Sequence, residues 1–197
     1  HSEKDLTLTA TLIGEVPVGE AITRSGASVG DDVYVSGTVG DALIGLRQLK
    51  SGAGSGSDAV NRFQLPDPRI SLGVALRGVA SAMADVSDGL AADLGHICKA
   101  SNVSATIRGD LVPVSAEVRS CLDGGDIAIA ELVTGGDDYE LVFTARPDAN
   151  HHVVSASHTS GVAITKIGTI ASRPNAVRVV GAMGDEIELR KSGYRHF

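Results

Sequence analysis

Residues 84–94 read ADVSDGLAADL, a stretch that predicts a β-strand passing through a tight bend into an α-helix. The small and apolar residues from Ala82 to Val86 indicate a short buried strand. Four apolar residues then recur at helical spacing and predict a helix over residues 88–101: Leu90, Leu94, Ile97 and Cys98. Three Asp and one Ser interrupt this apolar surrounding, so the bend is either a capped turn or a binding site.

Strand and helix patterns alternate on both sides of this stretch. An alternating segment from Leu6 to Val16 predicts a first strand. Further strands are predicted at residues 32–37, 103–108, 139–145, 164–170, 177–181 and 186–190, and helices at 41–49, 58–65, 68–79, 115–122, 126–133 and 147–160. Mixed elements that end in a run of strands predict an α+β fold, a layered α/β arrangement with a mixed β-sheet packed with helices.

Composition excludes several classes of function. The chain has 17 basic and 24 acidic residues and a net charge of −7, which argues against a nucleic-acid partner. Cys98 and Cys121 lie in no zinc-binding pattern. No apolar run approaches the about 20 residues that a membrane span requires. We therefore expect a cytoplasmic protein that has neither a nucleic-acid nor a membrane partner.

The bend of ADVSDGL has the side chains of a phosphate and metal site. A helix N-terminus offers unpaired N–H groups to phosphate, and Ser87 can add its hydroxyl. Asp85 and Asp88 supply the hard oxygen ligands that Mg²⁺ prefers. The alternative is structural: Ser87 or Asp88 serves as a plain N-cap, and Asp85 lies in a turn.

Two further segments are candidates. VTGGDDYEL, residues 133–141, places Asp137, Asp138 and Glu140 after a Gly-Gly turn, and such neighbouring like charges require a cation, a donor or solvent. The alternative is a solvated loop in which Glu140 faces out of the following strand. SGYRHF, residues 192–197, could pack an aromatic side chain on a planar ligand, or simply dock the chain end. No P-loop is present, so a nucleotide enzyme would have to use metal-bridged phosphates.

Taken in order, these motifs and GEVPVGEAITRSGASVGDDVYVSG (residues 14–37) resemble the thiamine-monophosphate kinases. That family lies in a superfamily with the aminoimidazole ribonucleotide synthetases, and the resemblance implies the C-terminal domain of their fold. It also implies phosphorylation of thiamine monophosphate to thiamine diphosphate, with ATP as the donor and several Mg²⁺ ions, by direct in-line transfer without a phosphoenzyme.

The resemblance also implies roles for individual residues. Asp85 and Asp88 match metal ligands, and Ser87 matches an ATP contact. Asp137 matches a substrate-binding position that is usually Glu, and Tyr194 matches the aromatic residue that meets the thiamine moiety. No residue matches a covalent catalyst.

The resemblance covers only the carboxyl half of such an enzyme. We therefore expect residues 1–197 to be a single C-terminal domain, with the ATP-binding and dimerisation half absent from this chain and the full-length protein a homodimer. Two alternatives stay open: a non-catalytic binding module, and a sister enzyme of the superfamily that acts on another small metabolite.

Overall fold

The computed structural model describes residues 9–52, 56–172 and 176–189. The strands of this part are β1 (Asp32–Ser36), β2 (Ala82–Asp85), β3 (Ser104–Arg108), β4 (Leu141–Ala145), β5 (Ile164–Ala171), β6 (Val177–Val180) and β7 (Glu186–Ile187). The helices are α1 (Asp41–Ser51), α2 (Asp58–Gln64), α3 (Ile70–Ala75), α4 (Leu90–Ser101), α5 (Ala116–Gly124), α6 (Ile129–Thr134) and α7 (Asn150–Ser160). Short 3₁₀ turns precede α5 and α7.

The strands form one seven-stranded sheet in the order β2-β4-β1-β5-β3-β6-β7. Strands β3 and β6 are parallel, and the other neighbouring pairs are antiparallel. The predicted α+β fold with a mixed sheet is thereby confirmed. No helix among the described residues is long and apolar enough to cross a membrane.

Helices cover both faces of the sheet, because side chains alternate across each strand. Val33 and Val35 of β1 point into the larger core, which α1, α2, α4, α5 and α6 complete. Tyr34 points into the smaller core under α3 and α7, where its ring stacks on Phe143 at a centroid distance of 5.2 Å. The molecule therefore has three layers over the half of the sheet that contains β1, β2 and β4.

The strand predicted from Leu6 to Val16 is wrong over its described part. Residues 9–16 form no strand and are exposed, with Leu12 at 89% and Ile13 at 94%. Alternation indicates that a segment can pair, but no strand of the described residues pairs with residues 9–16. Residues 6–8 lie outside the described residues.

Strands β2 and β4 place two loop segments at the same end of the sheet. They are antiparallel neighbours, and Asp85 at the end of β2 lies opposite Leu141 at the start of β4. The chain that leaves β2 and the chain that enters β4 therefore continue side by side. These are the two bends that the sequence singles out.

Candidate functional site

The two bends are joined through their backbones. The N–H of Asp137 donates to the carbonyl of Ser87 at 2.9 Å, and the N–H of Tyr139 donates to that of Val86 at 2.9 Å. In return, the N–H of Val86 donates to the carbonyl of Glu140 at 2.8 Å. The pairing of β2 with β4 thus extends into both bends, and the two bends adjoin.

Glycines make this close approach possible. A Cβ on Gly136 would overlap the carbonyl oxygen of Ser87. A Cβ on Gly89 would lie 2.9 Å from the carbonyl carbon of Thr134, and its φ of +119° also disfavours a side chain. Each bend therefore supplies one glycine where the other bend passes.

A buried side chain of α4 binds the backbone of the first bend. Helix α4 begins at Leu90 with Gly89 at its N-cap, so the interpretation of Ser87 or Asp88 as a plain N-cap is wrong. Instead, the buried Asp93 turns back, and its Oδ2 accepts the N–H of Ser87 at 2.9 Å and that of Asp88 at 3.0 Å. Burial raises the pKa of Asp93, and these backbone donors oppose that rise. Asp85 is exposed, and Ser87 and Asp88 are half-buried.

The second bend alternates between inward and outward side chains. Asp138 and Glu140 are buried, at 3% and 0% exposure. Asp137 is half-buried, and Tyr139 is 40% exposed. These two outer residues have positive φ values, 68° for Asp137 and 51° for Tyr139, a region that side chains other than Gly and Asn rarely adopt. Strand β4 begins at Leu141 rather than at the predicted Tyr139 for this reason.

Asp138 anchors the bend to the N-terminus of α1. Its carboxylate accepts the N–H of Gly40 at 2.9 and 3.0 Å and the N–H of Ala42 at 3.3 Å. Burial nevertheless raises the pKa of Asp138 to about 7, because removal from water penalises the charged form more than these donors favour it.

Glu140 anchors the bend to two arginines, so the interpretation that it faces out of the strand is wrong. Arg69 donates from Nε at 2.8 Å and from Nη2 at 2.7 Å, and Arg62 donates at 2.6 Å. The Ser36 hydroxyl donates a fourth hydrogen bond at 2.5 Å. Burial would raise the pKa of Glu140, but the hydrogen bonds from Arg69, Arg62 and Ser36 outweigh it and lower that pKa.

Tyr139 lies at the same end of the sheet as three acidic residues of the two bends. Burial raises the pKa of its phenol, and the negative charges of Asp137, Asp85 and Asp88 raise it further. The backbone pairing of the bends brings Asp85 and Asp88 of the first bend to the same end of the sheet as Asp137 of the second. Oxygen donors gathered in this way suit a hard divalent cation.

A further set of possible ligands lies beside Asp88. One ligand atom each of Asp88, Asp93 and His96 lies within 4.8 Å of the others. Asp93 is the third Asp of ADVSDGLAADL, for which the sequence predicted no separate ligand role. The i, i+3 spacing of Asp93 and His96 within α4 is the signal that places them on one face. Asp93 already accepts two backbone N–H groups, whereas His96 is exposed.

The structure therefore brings together four of the five predicted site residues: Asp85, Ser87, Asp88 and Asp137. The fifth, Tyr194, lies outside the described residues. Sequence reasoning missed Arg62 and Arg69, whose only local signal is a pair of cations in a region otherwise poor in motifs.

Comparison with known proteins identifies the class of protein that has this fold and these two acidic bends. The chain belongs to the family described as "AIR synthase related protein, C-terminal domain", which matches residues 28–181. Among curated relatives, it is 39% identical over 198 residues to the thiamine-monophosphate kinase of Salmonella typhimurium, covering 98% of this chain and 60% of the relative. It is 38% identical over 167 residues to that of Caulobacter vibrioides, covering 83% of this chain and 47% of the relative.

Solved structures agree with these relatives. The thiamine-monophosphate kinase of Stenotrophomonas maltophilia K279a superposes with a TM-score of 0.78 at 39% identity, over 87% of this chain and 56% of that one. A structure described as "AaThiL complexed with AMPPCP and TMP" superposes with a TM-score of 0.73 at 30% identity, over 89% of this chain and 54% of that one. The chain thus spans about 60% of the length of the first curated relatives it matches.

Proposed function

We propose that the protein containing this chain is a thiamine-monophosphate kinase, which transfers a phosphoryl group from ATP to thiamine monophosphate and forms thiamine diphosphate. The observation that carries the proposal is the backbone pairing of the two bends, with the Asp137 N–H 2.9 Å from the Ser87 carbonyl oxygen. This pairing gathers Asp85, Ser87, Asp88 and Asp137 at one end of the sheet. The kinases at 39% identity support the same activity.

Asp85 and Asp88 are the residues that would hold Mg²⁺. The fit rests on their chemistry, since both offer carboxylate oxygens at the surface of the bend, where phosphate oxygens can complete the ligand set. When bound, Mg²⁺ neutralises polyphosphate charge and orients the reacting groups.

The protein's own residues then bind and orient the two substrates. The Ser87 hydroxyl donates to a phosphate oxygen of ATP. The Asp137 carboxylate faces thiamine monophosphate, and Tyr194 packs on its thiamine moiety. No side chain forms a covalent bond, because phosphoryl transfer needs alignment and charge neutralisation more than a protein nucleophile.

The proposal extends to the larger protein. Residues 1–197 form its C-terminal domain, and the ATP-binding and dimerisation half lies outside them. The enzyme is a cytoplasmic homodimer that acts without nucleic acid or a membrane. That this chain spans 60% of each first curated relative supports a larger protein that contains it.

The test uses the product of the complete reading frame that contains residues 1–197. Thiamine diphosphate is measured by chromatography after incubation with ATP, Mg²⁺ and thiamine monophosphate. Asp88→Asn is expected to lower kcat by about 100-fold or more, since a bound metal contributes several kcal/mol. Asp123→Asn, an exposed acid of α5, is the matched control and is expected to keep wild-type activity.

Two outcomes would contradict the proposal. One is a protein that leaves thiamine monophosphate unchanged but phosphorylates another small metabolite from a substrate panel. The other is Asp88→Asn turning over thiamine monophosphate as fast as the control variant.

A further inference from the structure

Tyr139 has an unusual backbone conformation for an aromatic residue. Its φ of 51° lies in the left-handed region, which costs a bulky side chain about 1–3 kcal/mol. Its ring is nevertheless 40% exposed, so it is not retained to fill the core. Strained residues that the surrounding structure holds in place cluster at functional sites.

The surrounding bonds hold Tyr139 in this conformation. Its own N–H donates to the carbonyl of Val86 at 2.9 Å. Asp138 and Glu140, on either side, are each tied into the interior through their carboxylates. With both neighbours pointing inward, the Tyr139 ring is directed outward beside Asp137.

The surroundings of the ring favour a cation. The face of an aromatic ring carries negative potential and attracts positive charge. The backbone pairing of the two bends places three acidic residues, Asp85, Asp88 and Asp137, at the same end of the sheet as this ring. Since Asp85 and Asp88 are assigned to Mg²⁺, the Asp137 carboxylate is the one that faces a ligand lying on this ring.

The two substrates of the proposed reaction differ in the charge of their ring systems. The thiazolium ring of thiamine monophosphate is planar and permanently positive, whereas the adenine ring of ATP is neutral. We propose that Tyr139 packs against the thiazolium ring and selects the substrate by its positive charge, an inference that rests on the proposed function. Tyr139 is thus a specificity residue of the acceptor site.

Tyr139→Asn is the sharpest test, because Asn tolerates positive φ while removing the ring. In the complete protein, this variant is expected to raise the KM for thiamine monophosphate about tenfold, which lies between the effects of an exposed and a desolvated cation–π contact. The KM for ATP should stay at its wild-type value. The melting temperature should be no lower than that of the wild type. Tyr139→Phe keeps the aromatic face and is expected to stay within about threefold of wild type.

A neutral analogue isolates the charge. In the thiophene analogue of thiamine monophosphate, carbon replaces the quaternary nitrogen and the shape is kept. Wild type and Tyr139→Phe should bind this analogue about tenfold more weakly than the natural substrate, measured as Kd by calorimetry. Tyr139→Asn should show a smaller difference between the two compounds, because only the Asp137 carboxylate then favours the positive charge.

The outcomes separate this inference from the proposed function. Tyr139→Asn with an unchanged KM, or with equal losses for the charged and the neutral compound, overturns the role of Tyr139 while wild-type kinase activity stands. A wild-type protein that neither binds nor phosphorylates thiamine monophosphate overturns both. Calorimetric binding tests the role of Tyr139 even in a variant that does not turn over.

Discussion

The backbone nitrogen of Asp137 lies 2.9 Å from the carbonyl oxygen of Ser87, a residue 50 positions earlier in the sequence. Through this hydrogen bond, the bend after β2 and the bend before β4 form one surface. Buried carboxylates hold both bends in place. Asp93 accepts a backbone N–H of the first bend, and Asp138 and Glu140 tie the second bend to Gly40 and Arg69. The outward residues are positioned by this frame.

Gly136→Ala tests whether the contact between the bends matters. The new Cβ would overlap the Ser87 carbonyl oxygen, so the bends must separate. We expect a loss of about 1–3 kcal/mol in the free energy of unfolding, typical of overpacking, measured in urea. We also expect a loss of kinase activity in the complete protein.

Gly95→Ala is the matched control for Gly136→Ala. Gly95 lies within α4, and its Cβ would meet Val177 at an ordinary 3.9 Å. This change should stabilise the chain by about 0.5–1 kcal/mol through helix propensity. Equal effects at both glycines would contradict the close packing of the bends.

Arg69→Met tests the anchor under the second bend. It removes two hydrogen bonds to the fully buried Glu140 while keeping an apolar stem. Because an incompletely paired buried charge is costly, we expect a loss of about 3 kcal/mol in the free energy of unfolding. Arg77→Met removes an exposed contact of 3.7 Å to Glu20 and should cost less than about 1 kcal/mol. A loss at Arg69 no larger than at Arg77 would refute the anchoring role.

Asp138→Asn tests the pKa of the buried carboxyl through pH. The folded pKa of about 7 lies above the ordinary value of 3.8, so between these values the folded state binds more protons than the unfolded state. This group therefore costs stability as pH rises through the window, by up to about 1.4 kcal/mol per pH unit. The amide of the variant carries no charge and escapes that cost.

The measurement for Asp138→Asn is urea unfolding of both proteins at intervals from pH 5 to pH 8. The stability of the variant relative to wild type should increase towards pH 7 and level off above it. The amide oxygen of the variant can still accept the N–H groups of Gly40 and Ala42, so helix α1 keeps its cap. A difference that is independent of pH would show that Asp138 titrates at its ordinary pKa.

Local patterns predicted the elements and the bends because both depend on nearby residues. The strand-to-helix change around Asp85 and Asp88 follows from periodicity and a glycine. Local periodicity does not predict that Glu140 points inward, since its partners Arg69 and Arg62 lie 71 and 78 residues away in the sequence. The predicted strand is wrong over residues 9–16 for a related reason, because alternation specifies a side chain's face but not a pairing partner.

The most direct test of a shared site is where a divalent ion binds. In NMR spectra of the complete protein, Mn²⁺ with ATP should broaden the amide signals of Ser87, Asp88, Asp137 and Tyr139 together. The amides of β7, at the opposite edge of the seven-stranded sheet, should keep their intensity. Strongest broadening away from the two bends, or at one bend without the other, would contradict a shared metal and phosphate site.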